Sequence, residues 1–540
     1  MTGYPLDLAA TAPAPTHPSE PLRPGTQRAV LFTAGLLGVA GDSLLRDGPT
    51  GIGLPLWVGV FGLNAVSLAW KENRAIGREA AAWLMSAFAF SAALAWRNGD
   101  ALQFFDFAAT LACLALAAIA LSSPTGAVWT RQVRTLVMAA INVARTALWG
   151  FAPLLLGIRS TEPEHASRRA GTWHTIARSA ALGIVVLAIF GALLRGADPI
   201  FASIVSLPDF DLALTASHVI VSVFFAWLVA GWARGALREP RLGSEAPLPI
   251  PQLGSPEITT VLGALNVLFA AYVATQIAWF FGGENFLRAH TGLTAAAYAR
   301  SGFFQMVTVV ALVVPLLLST RSLLRPEPAL ARRHTALSLP LLALVAAMVV
   351  SAALRMKLYV QFYGLTIDRF YPLVFMGWAS VVLVAIACTV LRDRGGFVPA
   401  LLMSGFAVLA ALNFADPDAI VARVNVDRAA RLGADKLDVP HLAQLRGTAV
   451  PLALSIVLDE ARQTPAKDRC IAARMLLARW SRHPAPSLRA TGDASWRLWN
   501  ADDVMAMRSV SAKAHALRDV AHRSCAAARE TTSELPAPQR

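Results

Sequence analysis

The sequence predicts an all-α fold: a polytopic bundle of about eleven membrane-crossing helices, twelve possible, followed by a soluble α-helical domain. Three observations carry this. Only 15% of the 540 residues are charged and 56% are hydrophobic, whereas soluble domains carry about 25% charged residues. Apolar runs recur at lengths near the roughly 20 helical residues that cross a hydrocarbon core of about 30 Å. Beyond residue 413 the pattern changes to shorter amphipathic stretches broken by Pro and Gly.

Residues 1–28 are rich in Pro and Ala and have no apolar core. They read as a disordered cytoplasmic tail rather than a cleavable signal peptide. Spans are expected at 29–45, 52–70, 80–96, 104–121, 179–195, 212–232, 258–282, 302–319, 336–354, 372–391 and 397–413. Several are short and rich in Ala and Gly, which suits close helix packing in lipid. The run 136–157 differs, because Asn142, Arg145 and Thr146 sit near its centre. An Arg at mid-bilayer costs about 3 kcal/mol or more. As an interfacial or re-entrant helix, 136–157 leaves the N-terminal side with more than twice the Lys and Arg of the opposite loops. As a twelfth span it abolishes that bias. Positive charge concentrates on the cytoplasmic side. The expectation is therefore eleven spans in a bacterial inner membrane, with the N-terminus cytoplasmic and the domain 414–540 periplasmic.

Helices are expected in that domain at about 418–433, 448–462, 466–482 and 501–529, with breaks at Pro440, Pro465, Pro484-Ala-Pro486 and Gly492. Ile471, Met475, Leu476 and Trp480 recur at helical spacing, as in a paired-helix interaction module. Of the four cysteines, Cys113 and Cys388 fall inside spans, leaving Cys470 and Cys525 in the soluble domain. An oxidising compartment would allow these two to form a disulfide. No Cys/His cluster, HExxH or P-loop is present, so neither a metal nor a cofactor is expected. The net charge of +14 lies mostly between apolar runs, without interleaved aromatics. Membrane lipids and a periplasmic protein are the expected partners, and nucleic acid is not.

The most informative motif is an internal echo. Gly292-Leu293-Thr294 follows one span and Gly364-Leu365-Thr366 follows another 72 residues later, each leading into a further span and a basic loop. Tyr298 and Arg300 follow the first copy; Arg369 and Tyr371 follow the second. Two readings fit this two-span repeat. In one, Thr caps a returning helix while Tyr and Arg anchor at the interface. In the other, the caps and arginines bind an anionic group. A second signature, Ala197-Asp198-Pro199-Ile200-Phe201 with Asp209 and Asp211 beyond, offers carboxylates to a cation or simply turns the chain. Asp42, Asp106, Glu284 and Asp368 are further acids of the same side, expected near span ends where hydration is cheap.

These motifs, with Phe281-Gly282-Gly283 and Ser495-Trp496-Arg497-Leu498-Trp499-Asn500, resemble those of a bacterial polytopic membrane-protein family known only as a domain of unknown function. The resemblance spans about residues 29–515. It implies an inner-membrane location and supplies no catalytic residue. The leading functional classes are a transporter or permease, suggested also by Asn64, Asn266 and Gln276 inside spans, and an envelope-assembly protein. The alternatives are a periplasm-facing enzyme acting on a lipid-linked substrate, which would use Asp42 and Asp47, and a sensor or scaffold displaying the C-terminal domain. An enzyme is the less favoured class. Asp198, Thr294, Arg300, Thr366 and Arg369 are the ligand-binding candidates.

Overall fold

The computed structural model describes residues 22–122, 133–149, 212–237, 252–291, 303–392, 396–433, 436–462, 464–480 and 494–533. These residues are helical apart from turns and one isolated bridge between Leu253 and Leu324. The first helices are α1 (Pro24–Leu45), α2 (Gly53–Lys71), α3 (Arg78–Trp96), α4 (Asp100–Ser122), α5 (Val133–Trp149) and α6 (Leu212–Leu237). Next come α7 (Ser255–Thr291), α8 (Phe303–Ser322), α9 (Pro328–Tyr363), α10 (Ile367–Cys388) and α11 (Phe397–Ala415).

Nine of these, α1–α4, α6, α7 and α9–α11, are long and apolar enough to cross a membrane. Each overlaps an expected span over nearly all its length, and the span expected at 302–319 corresponds to α8. The tail 1–21 and the run 179–195 lie outside the described residues. The chain is thus a multi-pass membrane protein.

The bundle has two recognisable ends. At the near end the Arg23 backbone N–H donates to Glu72, so α1 begins beside the end of α2. At the far end Arg46 donates to Ser217 (2.8 Å), and His218 Nδ1 lies 2.5 Å from Asp42 Oδ2. That places the start of α6 beside the end of α1. Indole N–H groups stitch the helices together: Trp57 donates to Leu37 O and Trp232 to Leu114 O.

α5 packs against the later half of α6 through Gly231 and Gly235, four residues apart. A Cβ on Gly231 would lie 2.3 Å from Ala147 O, and one on Gly235 2.4 Å from Thr146 Oγ1. Such small-residue pairs let helix backbones approach. Arg145 stays on the exposed face of α5.

α7 and α9, with 37 and 36 residues, outrun the spans expected for them. At about 1.5 Å per residue they exceed the roughly 30 Å hydrocarbon core. Each is followed by a shorter helix, of 20 residues in α8 and 22 in α10. The sequence echo is thus also an echo of helix lengths. Asn266 Nδ2 donates to Leu262 O and to Leu337 O, tying α7 to α9. Gln276 accepts from Ser351 and Arg355 across the same interface.

The C-terminal domain comprises α12 (Pro417–Leu432), α13 (Val439–Gln444), α14 (Ala449–Leu458), α15 (Ala466–Trp480), α16 (Ala501–Ala512) and α17 (Ala514–Ser533). Pro440 opens the short α13 instead of only breaking the chain, because a missing N–H costs nothing in a first turn. Val421, Leu442, Val450, Leu476, Val510 and Leu517 form a core of its own. Of the apolar residues at helical spacing in α15, Leu476 and Trp480 are buried and Ile471 is exposed. Cys470 and Cys525 are disulfide-bonded, joining α15 to α17 across 55 residues of sequence. Closing a loop of that size stabilises a fold mainly by restricting its unfolded chain. Replacing Cys470 with Ser is expected to remove about 2–5 kcal/mol, read from thermal unfolding of the solubilised chain without reductant. An unchanged midpoint would show that the bridge carries no stability.

Candidate functional site

The far end of the bundle and the C-terminal domain meet in a buried polar cluster built around the α3–α4 turn, Arg97-Asn98-Gly99-Asp100. Arg97 is buried at the end of α3, and its guanidinium rests on the Trp96 ring, 4.4 Å from the centroid. Its Nε donates to the Asn413 carbonyl near the end of α11 (2.6 Å). Its Nη1 donates to Asp416 and to Asp502, each at 3.2 Å. One cation therefore binds the last bundle helix, the residue that opens α12 and the first turn of α16.

Each partner is fixed by local chemistry. Asp416 precedes Pro417 and caps α12 by accepting from the Ala419 N–H. Its φ of +56° is uncommon for a non-glycine residue. It is held there by bonds from Arg97, the Thr448 hydroxyl and the Thr448 N–H. Gly447 leaves room for this, since a Cβ there would lie 2.7 Å from Asp502 Oδ2 and 3.2 Å from Asp416 Oδ2. Asn500 caps α16 with its Oδ1, while its Nδ2 donates to Leu94 O in the last turn of α3 and to Arg97 O just beyond it. Around this centre Asn98 donates to Asp503, and Arg446 reaches Asn98 O (3.0 Å) and Asp100 (2.6 Å). The Arg446 N–H donates to Asp418 (3.0 Å).

A second docking point is the turn from α9 to α10. Asn425 of α12 accepts from the Leu365 N–H (2.8 Å) and donates to the Leu365 carbonyl (2.7 Å). The Leu365 side chain joins the core of the C-terminal domain. Arg428 donates to Gln361 O and Phe362 O, the open end of α9. Trp96 and Phe414, both exposed, meet edge to face at 5.4 Å beside the cluster. Aromatic residues of this kind sit at headgroup level.

Of the five ligand candidates, Asp198, Thr294 and Arg300 lie outside the described residues. Thr366 occupies the N-cap position of α10 but makes no side-chain capping bond, in contrast to the hydroxyl cap expected there. Arg369 donates to Tyr363 O and Gly364 O and stacks on Tyr359. Its guanidinium closes the end of α9. Asp42 and Asp106, expected in hydrated positions, are both buried, because α6 covers the one and α11 the other. Among the described residues no three His, Cys, Asp or Glu side chains converge as a metal site.

The sequence carried signals for the cluster that the motif reading passed over. Ala415-Asp416-Pro417 repeats the tripeptide Ala197-Asp198-Pro199. Arg97 is the sole basic residue of a turn set between two apolar helices. Its partners are about 320 to 400 residues away, so no local pattern could pair them.

Such a fold and cluster define a polytopic helical membrane protein whose terminal domain is bound to one end of its own bundle. By sequence the chain belongs to the family described as domain of unknown function DUF4153, matched over residues 81–456. That stretch is shorter at both ends than the resemblance read from motifs. It contains Arg97, Asn413 and Asp416 but stops before Asn500 and Asp502. No curated protein and no solved structure matches the chain.

The charge balance of the cluster has a pH consequence. Burial pushes Asp502 up to about 6 and Asp416 adds to the rise, while Arg97 opposes it. Burial also raises Asp418, against the Arg446 N–H bond. One buried guanidinium shared by two carboxylates leaves the second poorly compensated. A carboxyl raised in the folded state contributes stability that is complete below its unfolded value, about 4, and is lost as pH rises through about 6. Thermal stability of the solubilised chain is expected to fall over that window, and the fall to shrink in Asp502→Asn. An unchanged slope would show that Asp502 is ionised throughout.

Proposed function

We propose that this chain is an envelope-assembly protein of a bacterial inner membrane, whose bundle holds the C-terminal helical domain against the periplasmic face for a protein partner. One observation carries the reading: Arg97 bonds at once to α11, Asp416 and Asp502. Domain and bundle then move as one body, as suits a platform. A loosely tethered domain would need no such bond. Two of the polar side chains expected to line a transport path, Asn266 and Gln276, bond instead from helix to helix.

Two observations support the orientation. The near end of the bundle carries Arg23, Arg74, Arg78, Arg325, Arg332 and Arg333 on its turns and helix starts, as a cytoplasmic face does. The domain at the far end contains a disulfide, which persists in oxidising compartments. α4 ends at the near end and α6 begins at the far end, so an even number of crossings between them is incompatible with this arrangement. Eleven spans satisfy that parity and twelve do not. Proton-coupled transport is a second reading, favoured by the fully buried carboxyl of Asp106 in α4.

The test uses a membrane-impermeant maleimide on cells with a permeabilised outer membrane. Labelling of Cys470 and Cys525 after reduction, with the inner membrane intact, is expected. A photocrosslinker at exposed Trp496 is then expected to capture a discrete protein partner. Cysteines reached only after inner-membrane lysis would overturn the orientation, and crosslinks to lipid alone would overturn the platform reading.

A further inference from the structure

Asp106 lies in the second turn of α4 and none of its surface is exposed. Asn413 of α11, also buried, donates from Nδ2 to Asp106 Oδ1 (2.8 Å) and to Leu409 O (3.1 Å). An amide nitrogen has two hydrogens, and both are used. This fixes the orientation of the amide, since turning it would set its own oxygen, an acceptor, against both Asp106 Oδ1 and Leu409 O. The other two heteroatoms of the pair, Asp106 Oδ2 and Asn413 Oδ1, are buried and have no hydrogen-bond partner among the described residues. With Asp106 ionised, both are acceptors that no donor meets, and a buried charge lies between two spans. A buried polar group without a partner, and still more a buried charge, is costly.

One hydrogen resolves all three problems. Placed on Asp106 Oδ2, it removes the charge, turns one orphan acceptor into a donor and lets it reach the other. We propose that Asp106 and Asn413 form a proton-binding site, a carboxylic acid–amide pair that holds a single proton between α4 and α11 at neutral pH.

The surroundings favour this state. Asp106, with Asp100 of the same helix and Asp416 and Asp418 at the start of α12, lies in the electrostatic neighbourhood of the Tyr371 hydroxyl of α10. The Tyr371 hydroxyl and Asp418 Oδ2 both border Gly99. Arg97 is engaged by Asn413 O, Asp416 and Asp502, and Arg446 by Asp100 and Asn98. Asn413 joins this site to the docking cluster, because its carbonyl accepts from Arg97 while its side chain holds the acid.

Infrared difference spectroscopy of the full chain in lipid nanodiscs at neutral pH tests the proposal. The protonated-carboxyl band of the wild type is expected to lose one equivalent in Asp106→Asn, whose amide keeps the pairing neutral. If that variant does not fold, Asn413→Ala is expected to shift the same band without removing it. Bands from Asp418 or Asp502 would survive both changes. A wild-type spectrum whose carboxyl band ignores both substitutions would overturn the proposal. So would a band that appears only when sodium is withdrawn, which would make the ligand a metal cation.

Discussion

A guanidinium buried where a membrane bundle ends must find its acceptors in the protein, because neither lipid nor bulk water can supply them. Arg97 is in that position, and what meets it is drawn from the far end of the sequence: a carbonyl of α11, the cap of α12 and a carboxylate of α16. The rest of the far end follows. Asp416 adopts an uncommon backbone conformation to stand there, Gly447 keeps a side chain out of the way, and Asn500 holds the carbonyls of Leu94 and Arg97 at the end of α3. Buried ion pairs are weak sources of net stability, yet breaking one by removing a single partner is severe. The cluster is therefore better understood as fixing where the domain sits than as strengthening either part.

Architecture was largely legible in the sequence because it depends on length and apolarity, which are local. The nine long apolar helices coincide with expected spans, and α12, α14 and α15 of the C-terminal domain begin and end within about four residues of their expected limits, while the short α13 was not expected. The departures have physical causes. α7 and α9 run past the ends of their apolar cores, and the extra turns of α9 deliver Leu365 into the domain. One expected helix at 501–529 is two, α16 and α17, interrupted at Lys513.

The polar site was much less legible. Arg369 and Thr366 drew notice through the repeated Gly-Leu-Thr motif, yet their neighbourhood serves to close α9 and to seat Leu365. Asp106 was visible as an acid in a span, but burial by α11 reversed the expected hydration. Arg97 stood out least, since one Arg in a short turn is ordinary. Its meaning comes from partners that only the fold brings near. The family match, ending at residue 456, places the bundle's half of the cluster inside the shared region and the α16 half beyond it.

The central claim is that the charge of Arg97 binds domain to bundle through Asp416 and Asp502, and a double-mutant cycle in thermal unfolding tests it most directly. Arg97→Met is expected to cost about 3–5 kcal/mol by leaving buried carboxylates uncompensated. Adding Asp416→Asn to it is expected to recover at least about 1 kcal/mol, a coupling typical of residues in one network. Strictly additive effects, or an Arg97→Met variant as stable as the wild type, would contradict the account.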